Sequence, residues 1–278
     1  MTAVAPSINM PQPFFLDGGV GKVFALYFPA IGAQKGSILY VPPFAEEMNR
    51  CRVAAAEQAR RLSQQGYAVL LLDLYGTGDS QGDLVDASWD IWCKDVEAAA
   101  AWLAEKNNVP VILWGFRLGA LLVADVANSN PQRFERMMLW QPVLSGKMFL
   151  TQYLRLRVAY LMDRGLPAET TADMRQKLQS GDALEVAGYV LSGRLTEDFD
   201  SKQFANFSAL QGLQVDWFEY VAEHGKPFTI NSQKMIKQLE AQDCAVSTHA
   251  FTGAQIWQLH KRDEVPELIE LTCKRFQE

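Results

Sequence analysis

A strand–turn–helix pattern around Arg117 constrains the fold of this chain more than any other feature. Residues 109–114 form an apolar run typical of a buried strand, and the Ala/Leu/Val-rich residues 118–126 predict a helix. Gly115 and Gly119 flank the turn, as expected where backbone segments pack closely and the turn is strained. The pattern therefore predicts a strand that turns sharply into a helix, with Arg117 at the turn.

The same alternation of strands and helices continues on both sides of this turn. Apolar runs predict strands at 23–28, 36–41, 67–72, 109–114, 136–140, 215–221 and 244–251. Helical spacing predicts helices at 49–65, 88–105, 118–128 and 232–242, and Pro266 opens a last helix. We expect a hairpin through residues 29–32 at the sheet edge. The series predicts an α/β fold with a mostly parallel central sheet flanked by helices.

The alternation stops between residues 141 and 213. Amphipathic residues 148–162 predict one helix, and weaker patterns predict two more around 172–179 and 183–191. We therefore predict a single domain, with a core of residues 1–142 and 213–278 and a helical cap inserted at 143–212.

Composition and charge narrow the class of partner. The chain has 278 residues, a net charge of −6 and no Lys/Arg-rich block, which argues against nucleic acid as a partner and favours a small molecule. The N-terminal residues lack a signal-peptide pattern and no apolar stretch approaches a membrane span, so we predict a cytoplasmic protein. The four cysteines lack metal-type spacing, and the glycine-rich residues 73–82 lack a complete phosphate-binding fingerprint. We predict no metal and no cofactor.

The turn is similar to the nucleophile elbow of α/β-hydrolases, with arginine in place of the serine. In that fold, backbone amides near the elbow stabilise an oxyanion, and their places here are Phe44, Ala45 and Leu118. A guanidinium at the top of the sheet needs acceptors, so we predict that Glu46 or Glu47 pairs with Arg117. Two interpretations stay open: Arg117 forms a structural ion pair that fills the pocket, or it faces a cavity and binds an anionic ligand group.

The remaining catalytic residues are harder to assign. Chain order in this fold places an acid and then a histidine after the last two strands, where Glu223 and His260 are the candidates. Ile256 occupies the usual histidine position, so His260 comes late in its loop. Three other residues on loops or helix starts are alternative nucleophiles, although none has a histidine at an assignable spacing: Ser80, Cys51 and Ser145.

Four segments together resemble the exosortase A system-associated hydrolase 2 family. They are the elbow at 114–122, the glycine-rich loop at 73–80, the loop at 42–49 and Leu-Trp-Gln-Pro-Val at 139–143, with a looser match at 251–257. The resemblance implies the α/β-hydrolase fold and a bacterial protein from a locus that couples exopolysaccharide synthesis to protein sorting. It does not imply a reaction, because both the nucleophile and the histidine depart from the catalytic pattern.

Two functions follow from these observations. The first is a hydrolase-like protein without the Ser-His-Asp triad, which binds an acyl or anionic ligand or acts as an accessory protein. The second is an active hydrolase or acyl transferase that uses a non-standard nucleophile on esters or thioesters. A homodimer stays open, since the apolar face of the inserted residues could equally be a dimer surface.

Overall fold

The computed structural model describes residues 10–258 and 263–277 and contains a mostly parallel sheet of eight strands. The strands are β1 (Gln12–Asp17), β2 (Lys22–Phe28), β3 (Gly36–Val41), β4 (Tyr67–Leu72), β5 (Val111–Phe116), β6 (Arg136–Trp140), β9 (Gln214–Tyr220) and β10 (Ala245–Phe251); β7 (Leu184–Val186) and β8 (Tyr189–Leu191) form a separate two-stranded sheet. The large sheet has the order β1-β2-β4-β3-β5-β6-β9-β10, and only the β1–β2 and β2–β4 pairs are antiparallel. The predicted α/β class is confirmed.

Eight helices accompany the strands in the described part of the chain. They are α1 (Glu46–Gln64), α2 (Trp89–Asn107), α3 (Leu118–Ser129), α4 (Gly146–Asp163), α5 (Thr171–Gln179), α6 (Gly193–Ser201), α7 (Ile230–Ala241) and α8 (Pro266–Arg275). None of them is long and apolar enough to cross a membrane.

The predicted hairpin between residues 23–28 and 36–41 is wrong. β2 pairs with β1 in an antiparallel hairpin, whereas β3 lies between β4 and β5 and runs parallel to both. All six residues of β3 are buried, which suits a central strand covered by helices on both faces. The antiparallel edge was therefore expected correctly, but with the wrong partner for β2.

Two apolar clusters cover the two faces of the sheet. Along β3 the side chains alternate: Ile38 and Tyr40 join the cluster of α1 and α8, and Leu39 and Val41 join the cluster of α2, α3 and α7. This alternation follows from the period of two in a strand. β3 is therefore covered on both faces, in the middle of the molecule. Because β3 and β5 are parallel neighbours, their C-terminal ends lie at the same edge of the sheet.

Residues 143–212, the limits that we propose for the inserted segment, lie between β6 and β9. They contain α4, α5, the β7–β8 hairpin and α6, so the helix predicted for 183–191 is wrong. Ala187 and Gly188 connect the two short strands with φ values of 52° and 83°. Two consecutive residues with positive φ form the kind of turn that favours a tight hairpin and ends a helical pattern.

Several polar contacts fasten the inserted segment to the rest of the protein, among them contacts at α6, after α6 and at the hairpin. At α6, Lys202 Nζ lies 2.8 Å from the Asp125 carboxylate of α3, and Asp198 accepts a 2.9 Å hydrogen bond from the Trp89 amide. At the hairpin, Asn49 Nδ2 donates a 2.7 Å hydrogen bond to the Tyr189 hydroxyl. α4 lies between these two attachments, close to the end of β5.

Candidate functional site

The turn between β5 and α3 has a strained backbone at Arg117. Its φ of 55° and ψ of −118° lie outside the regions that L-residues usually adopt. A Cβ atom at Gly115 would lie 2.4 Å from Ala120 Cα, and one at Gly119 would lie 2.3 Å from the Val41 carbonyl oxygen. Both glycines are therefore required by close backbone approach, and the turn projects whatever side chain stands at 117.

A second turn of the same shape stands beside the first. Ala45, between β3 and α1, has a φ of 52° and a ψ of −125°. Because β3 and β5 are paired neighbours, the helices that follow these turns begin side by side. The first turn of α1 carries Glu46 and Glu47, so its carboxylates are brought to the level of Arg117.

Arg117 forms an ion pair with Glu47. Its Nη2 lies 3.1 Å from Glu47 Oε1, and its Nε lies 3.3 Å and 3.2 Å from Oε1 and Oε2. The two side chains are only 14% and 16% exposed. Burial raises the pKa of Glu47 above its usual range, although Arg117 and Arg50 act to lower it. Glu46 pairs instead with Arg50, at 3.7 Å.

A buried apolar residue, Ile256, stands at the sequence position where the catalytic histidine of this fold is expected. Ile256 and Trp257 are 3% and 2% exposed, and the Arg117 guanidinium carbon lies 5.6 Å from the centre of the Trp257 ring. His260 lies outside the described residues. Glu223 has a 75% exposed side chain, 3.8 Å from Lys226, and its predicted role as the acid stays a prediction.

The amides that were expected to bind an oxyanion have no described partner. Among residues 10–258 and 263–277, no acceptor pairs with the N–H groups of Phe44, Ala45 or Leu118. The carbonyl oxygens of Phe44 and Ala45 accept hydrogen bonds from the first turn of α1. The Phe44 ring is buried among aromatic side chains of α2, α4 and α6. Unpaired N–H groups at helix starts favour a negative charge nearby.

Arg117 separates two cavities beneath α4. One has a volume of about 170 Å³ and is lined on its polar side by Gln141, Ser145, Gln152, Glu219, Thr229, Asn231 and Ser232. The other has a volume of about 270 Å³ and is lined by Glu46, Glu47, Arg50, Phe149, Gln152, Tyr153, Leu156, Trp257 and Gln258. Arg117 borders both cavities, so it faces open space as well as its partner Glu47.

Sequence reasoning missed Glu219. It lies near the end of β9 and is 1% exposed, and its carboxylate accepts hydrogen bonds from Trp217 Nε1 at 2.8 Å and from the Thr229 amide at 3.2 Å. A charged residue inside the apolar run of a strand was the available signal, because buried carboxylates need donors. Glu219 borders the smaller cavity and holds the loop before α7 in place.

The other hydroxyl and thiol candidates have structural contacts. Ser80 donates to the Asp73 carbonyl and accepts from the Phe24 amide, and Ser145 caps the start of α4. Cys51 is fully buried, and burial raises the pKa of its thiol well above the usual range. A thiol that stays protonated is a poor nucleophile.

Another histidine pairs with a carboxylate at the surface. His224 Nε2 lies 3.1 Å from Glu267 and 3.4 Å from the Thr252 hydroxyl, in an exposed position. Within the described ranges, no group of three or more His, Cys, Asp or Glu side chains could hold a metal ion.

Comparison with known proteins identifies the scaffold. The mouse palmitoyl-protein thioesterase ABHD10 is 26% identical over 152 residues, which cover 55% of this chain and 46% of that protein, so the chain spans about half the length of this relative. The ferulic acid complex of Est1E from Butyrivibrio proteoclasticus superposes with a TM-score of 0.66 at 16% identity, covering 95% of this chain and 96% of that one. The ABHD10 structure from mouse gives a TM-score of 0.57 at 15% identity, covering 95% and 96%.

These structural neighbours share the α/β-hydrolase fold with this chain. A family model described as serine aminopeptidase S33 (Hydrolase_4) matches residues 32–196, a range that includes both strained turns, the elbow glycines and most of the inserted segment. The chain therefore belongs to the serine aminopeptidase S33 family of α/β-hydrolases.

Proposed function

We propose that this protein binds a ligand with an anionic group at Arg117 and does not hydrolyse it. The observation that carries the proposal is the ion pair between Arg117 and Glu47 at the nucleophile position. A guanidinium has only donors and stays protonated, so it cannot attack a carbonyl carbon as the serine of this fold does. Its natural role is to hold carboxylates and related anions.

The surroundings of Arg117 support binding rather than chemistry. The two cavities that it borders give a small molecule room on both sides. The amides of Phe44, Ala45 and Leu118, which have no acceptor within residues 10–258 and 263–277, add positive electrostatic potential at the starts of α1 and α3. At the same time, the buried Ile256 stands at the sequence position where the general base of this fold is expected.

A hydrolase or acyl transferase with a non-standard nucleophile is the second candidate. It is favoured by the retained elbow geometry and by the similarity to ABHD10, which is named a palmitoyl-protein thioesterase. On this alternative, His260 would act as the base for a hydroxyl or thiol other than residue 117.

The resemblance to the exosortase A system-associated hydrolase 2 family supports a setting for either function. We propose that the protein acts in the cytoplasm of a bacterium that exports exopolysaccharide. Its ligand would then be a small acyl or anionic compound of that system, handled without a cofactor.

Hydrolysis of a chain-length series of p-nitrophenyl esters and acyl thioesters tests the proposal. We expect no turnover by the wild type and no labelling by a fluorophosphonate, which reacts with activated serines. Arg117→Ser is expected to gain weak turnover, because the turn and its amides remain. Arg155→Ala, at an exposed position of α4, serves as the control. Wild-type turnover that disappears in Ser80→Ala, Cys51→Ala or His260→Ala would contradict the binding function.

A further inference from the structure

Three adjoining cavities form a groove along α4, and Arg117 borders the first two of them. Met148, Gln152, Leu156 and Tyr160 are spaced by four residues and therefore share this face. Three cavities follow in the same order: the one of about 170 Å³ touches Met148 and Gln152, that of about 270 Å³ touches Gln152 and Leu156, and one of about 560 Å³ touches Leu156 and Tyr160. Shared lining residues join each cavity to the next.

The wall of the groove along α4 is apolar at Leu156 and Tyr160, while the outermost cavity is also lined by Glu46, Arg50, Arg157 and Glu185. From Gln152, which lines both cavities beside Arg117, to Tyr160 the helix rises about 12 Å, at about 1.5 Å per residue. Leu156 and Tyr160 are 45% and 54% exposed, which is high for apolar side chains on a helix that packs against a core. Phe149 and Tyr153 add aromatic surface near Arg117.

Glu47 already places a carboxylate on the guanidinium from within the protein. Its contacts of 3.1 to 3.3 Å with Arg117 are longer than the 2.8 Å contact between Arg157 and Glu169. Charge-assisted hydrogen bonds of full strength are about 2.7–2.9 Å long. Because Glu47 also lines the middle cavity, a carboxylate that enters this cavity can reach the same donors.

We propose that Arg117 exchanges Glu47 for the carboxylate of a linear aliphatic acid, whose chain lies in the groove along α4. This inference rests on the proposed binding function and names its ligand class. The charge of Arg117 selects the carboxylate, and the apolar face of α4 selects the chain. Glu47 acts as an internal competitor that keeps the guanidinium neutralised while the site is empty.

Isothermal titration calorimetry with straight-chain acids from butyrate to palmitate tests this inference. We expect the affinity to rise with chain length, because each added methylene buries more apolar surface. Glu47→Gln is expected to tighten carboxylate binding about tenfold, since a neutral side chain competes less well for a cation. Glu57→Gln is the matched control, because Glu57 forms an ion pair with Arg61 on the same helix and lines none of the three cavities. The corresponding primary alcohols should gain nothing from Glu47→Gln.

The groove is tested separately through Leu156→Asp. Because Leu156 is exposed, the fold should tolerate this substitution. The variant should lose affinity for long acids, while its affinity for short acids should not change. Leu166→Asp, at a similarly exposed position that lines none of the three cavities, is the control.

The inference is overturned by affinity that is independent of chain length, by no gain in Glu47→Gln, or by an equal gain in Glu57→Gln. A peptide with an apolar C-terminus that binds where the acids do not would also overturn it. If the wild type hydrolyses no ester or thioester and binds no aliphatic acid, the proposed binding function stands and only this inference is removed. Wild-type hydrolysis would remove the proposed function, and the acids would then be tested as products with the same variants.

Discussion

Replacing Arg117 by methionine should destabilise the protein mainly through Glu47. Methionine keeps most of the apolar stem of arginine but removes the charge, so Glu47 is left as a buried carboxylate without its closest cation. Breaking a fully buried pair by removing one partner costs about 3–5 kcal/mol. Here the side chains are 14% and 16% exposed and the contacts are long, so we expect about 2 kcal/mol at neutral pH.

The loss of stability in Arg117→Met should increase as the pH rises. Burial raises the pKa of Glu47 in the folded protein, so its contribution to stability is largest below the unfolded pKa of about 4.3 and is lost as the pH rises through the folded pKa. Without Arg117 the folded pKa rises further, because its largest lowering influence is gone. The difference between wild type and Arg117→Met should therefore be small in acid and grow toward neutral pH.

Urea denaturation at several pH values measures this difference, and a double-mutant cycle isolates the pair. Arg117→Met should cost much less in a Glu47→Gln background, where no charge is left unpaired. The reasoning is refuted if Arg117→Met costs the same in both backgrounds, or if its cost does not change with pH.

Three further predictions concern the buried carboxylate of Asp95, the strained turn at Ala45 and the ion pair of Lys202. Burial raises the pKa of Asp95 to about 6, so the stabilisation from Asp95 is largest below about pH 3.9 and is lost as the pH rises through 6. Over that range the wild type should lose about 3 kcal/mol of stability relative to Asp95→Asn, as measured by urea unfolding at each pH. Ala45→Gly should stabilise the protein by about 1 kcal/mol because glycine adopts the positive φ without strain, and a lower midpoint of thermal unfolding would contradict this. Lys202→Met should cost about 2 kcal/mol, since within the described part of the chain Asp125 then keeps only the hydrogen bond from Trp89. The exposed Lys226→Met serves as the control, and equal effects of the two variants would refute the role of the pair.

The parts of the fold that could be predicted are those with a strong local pattern. The turn at Arg117 was predictable because two glycines, a buried run and a helical run all surround it. The pairing of β2 was not, because a strand pattern carries no information about which neighbour will pair with it. The β7–β8 hairpin was missed for a different reason: two residues with positive φ at Ala187 and Gly188 interrupt a segment whose composition favours a helix.

The candidate site also has a part that the sequence predicts and a part that it does not. The order of strands and helices along the chain predicted that the elbow and the loop after β3 lie close together. Because a buried guanidinium needs an acceptor, Glu46 and Glu47 in that loop were the predicted partners of Arg117. The choice between them depends on the direction in which the strained turn at Ala45 sends the first turn of α1, which no pattern encodes. Glu219 and the lining of the two cavities depend on how α4 lies over the sheet, and that follows from packing rather than from sequence spacing.

The inserted segment is held more firmly at α6 and the residues after it than at the hairpin, and this sets the direction in which it can open. At α6, an ion pair to Asp125 and a hydrogen bond to the Trp89 amide hold the segment among buried aromatic rings. At the hairpin, the tie is an exposed hydrogen bond between Asn49 and Tyr189. The segment should therefore pivot about α6 and release first at the hairpin, so that a ligand enters at the Tyr160 end of α4 and reaches Arg117 last.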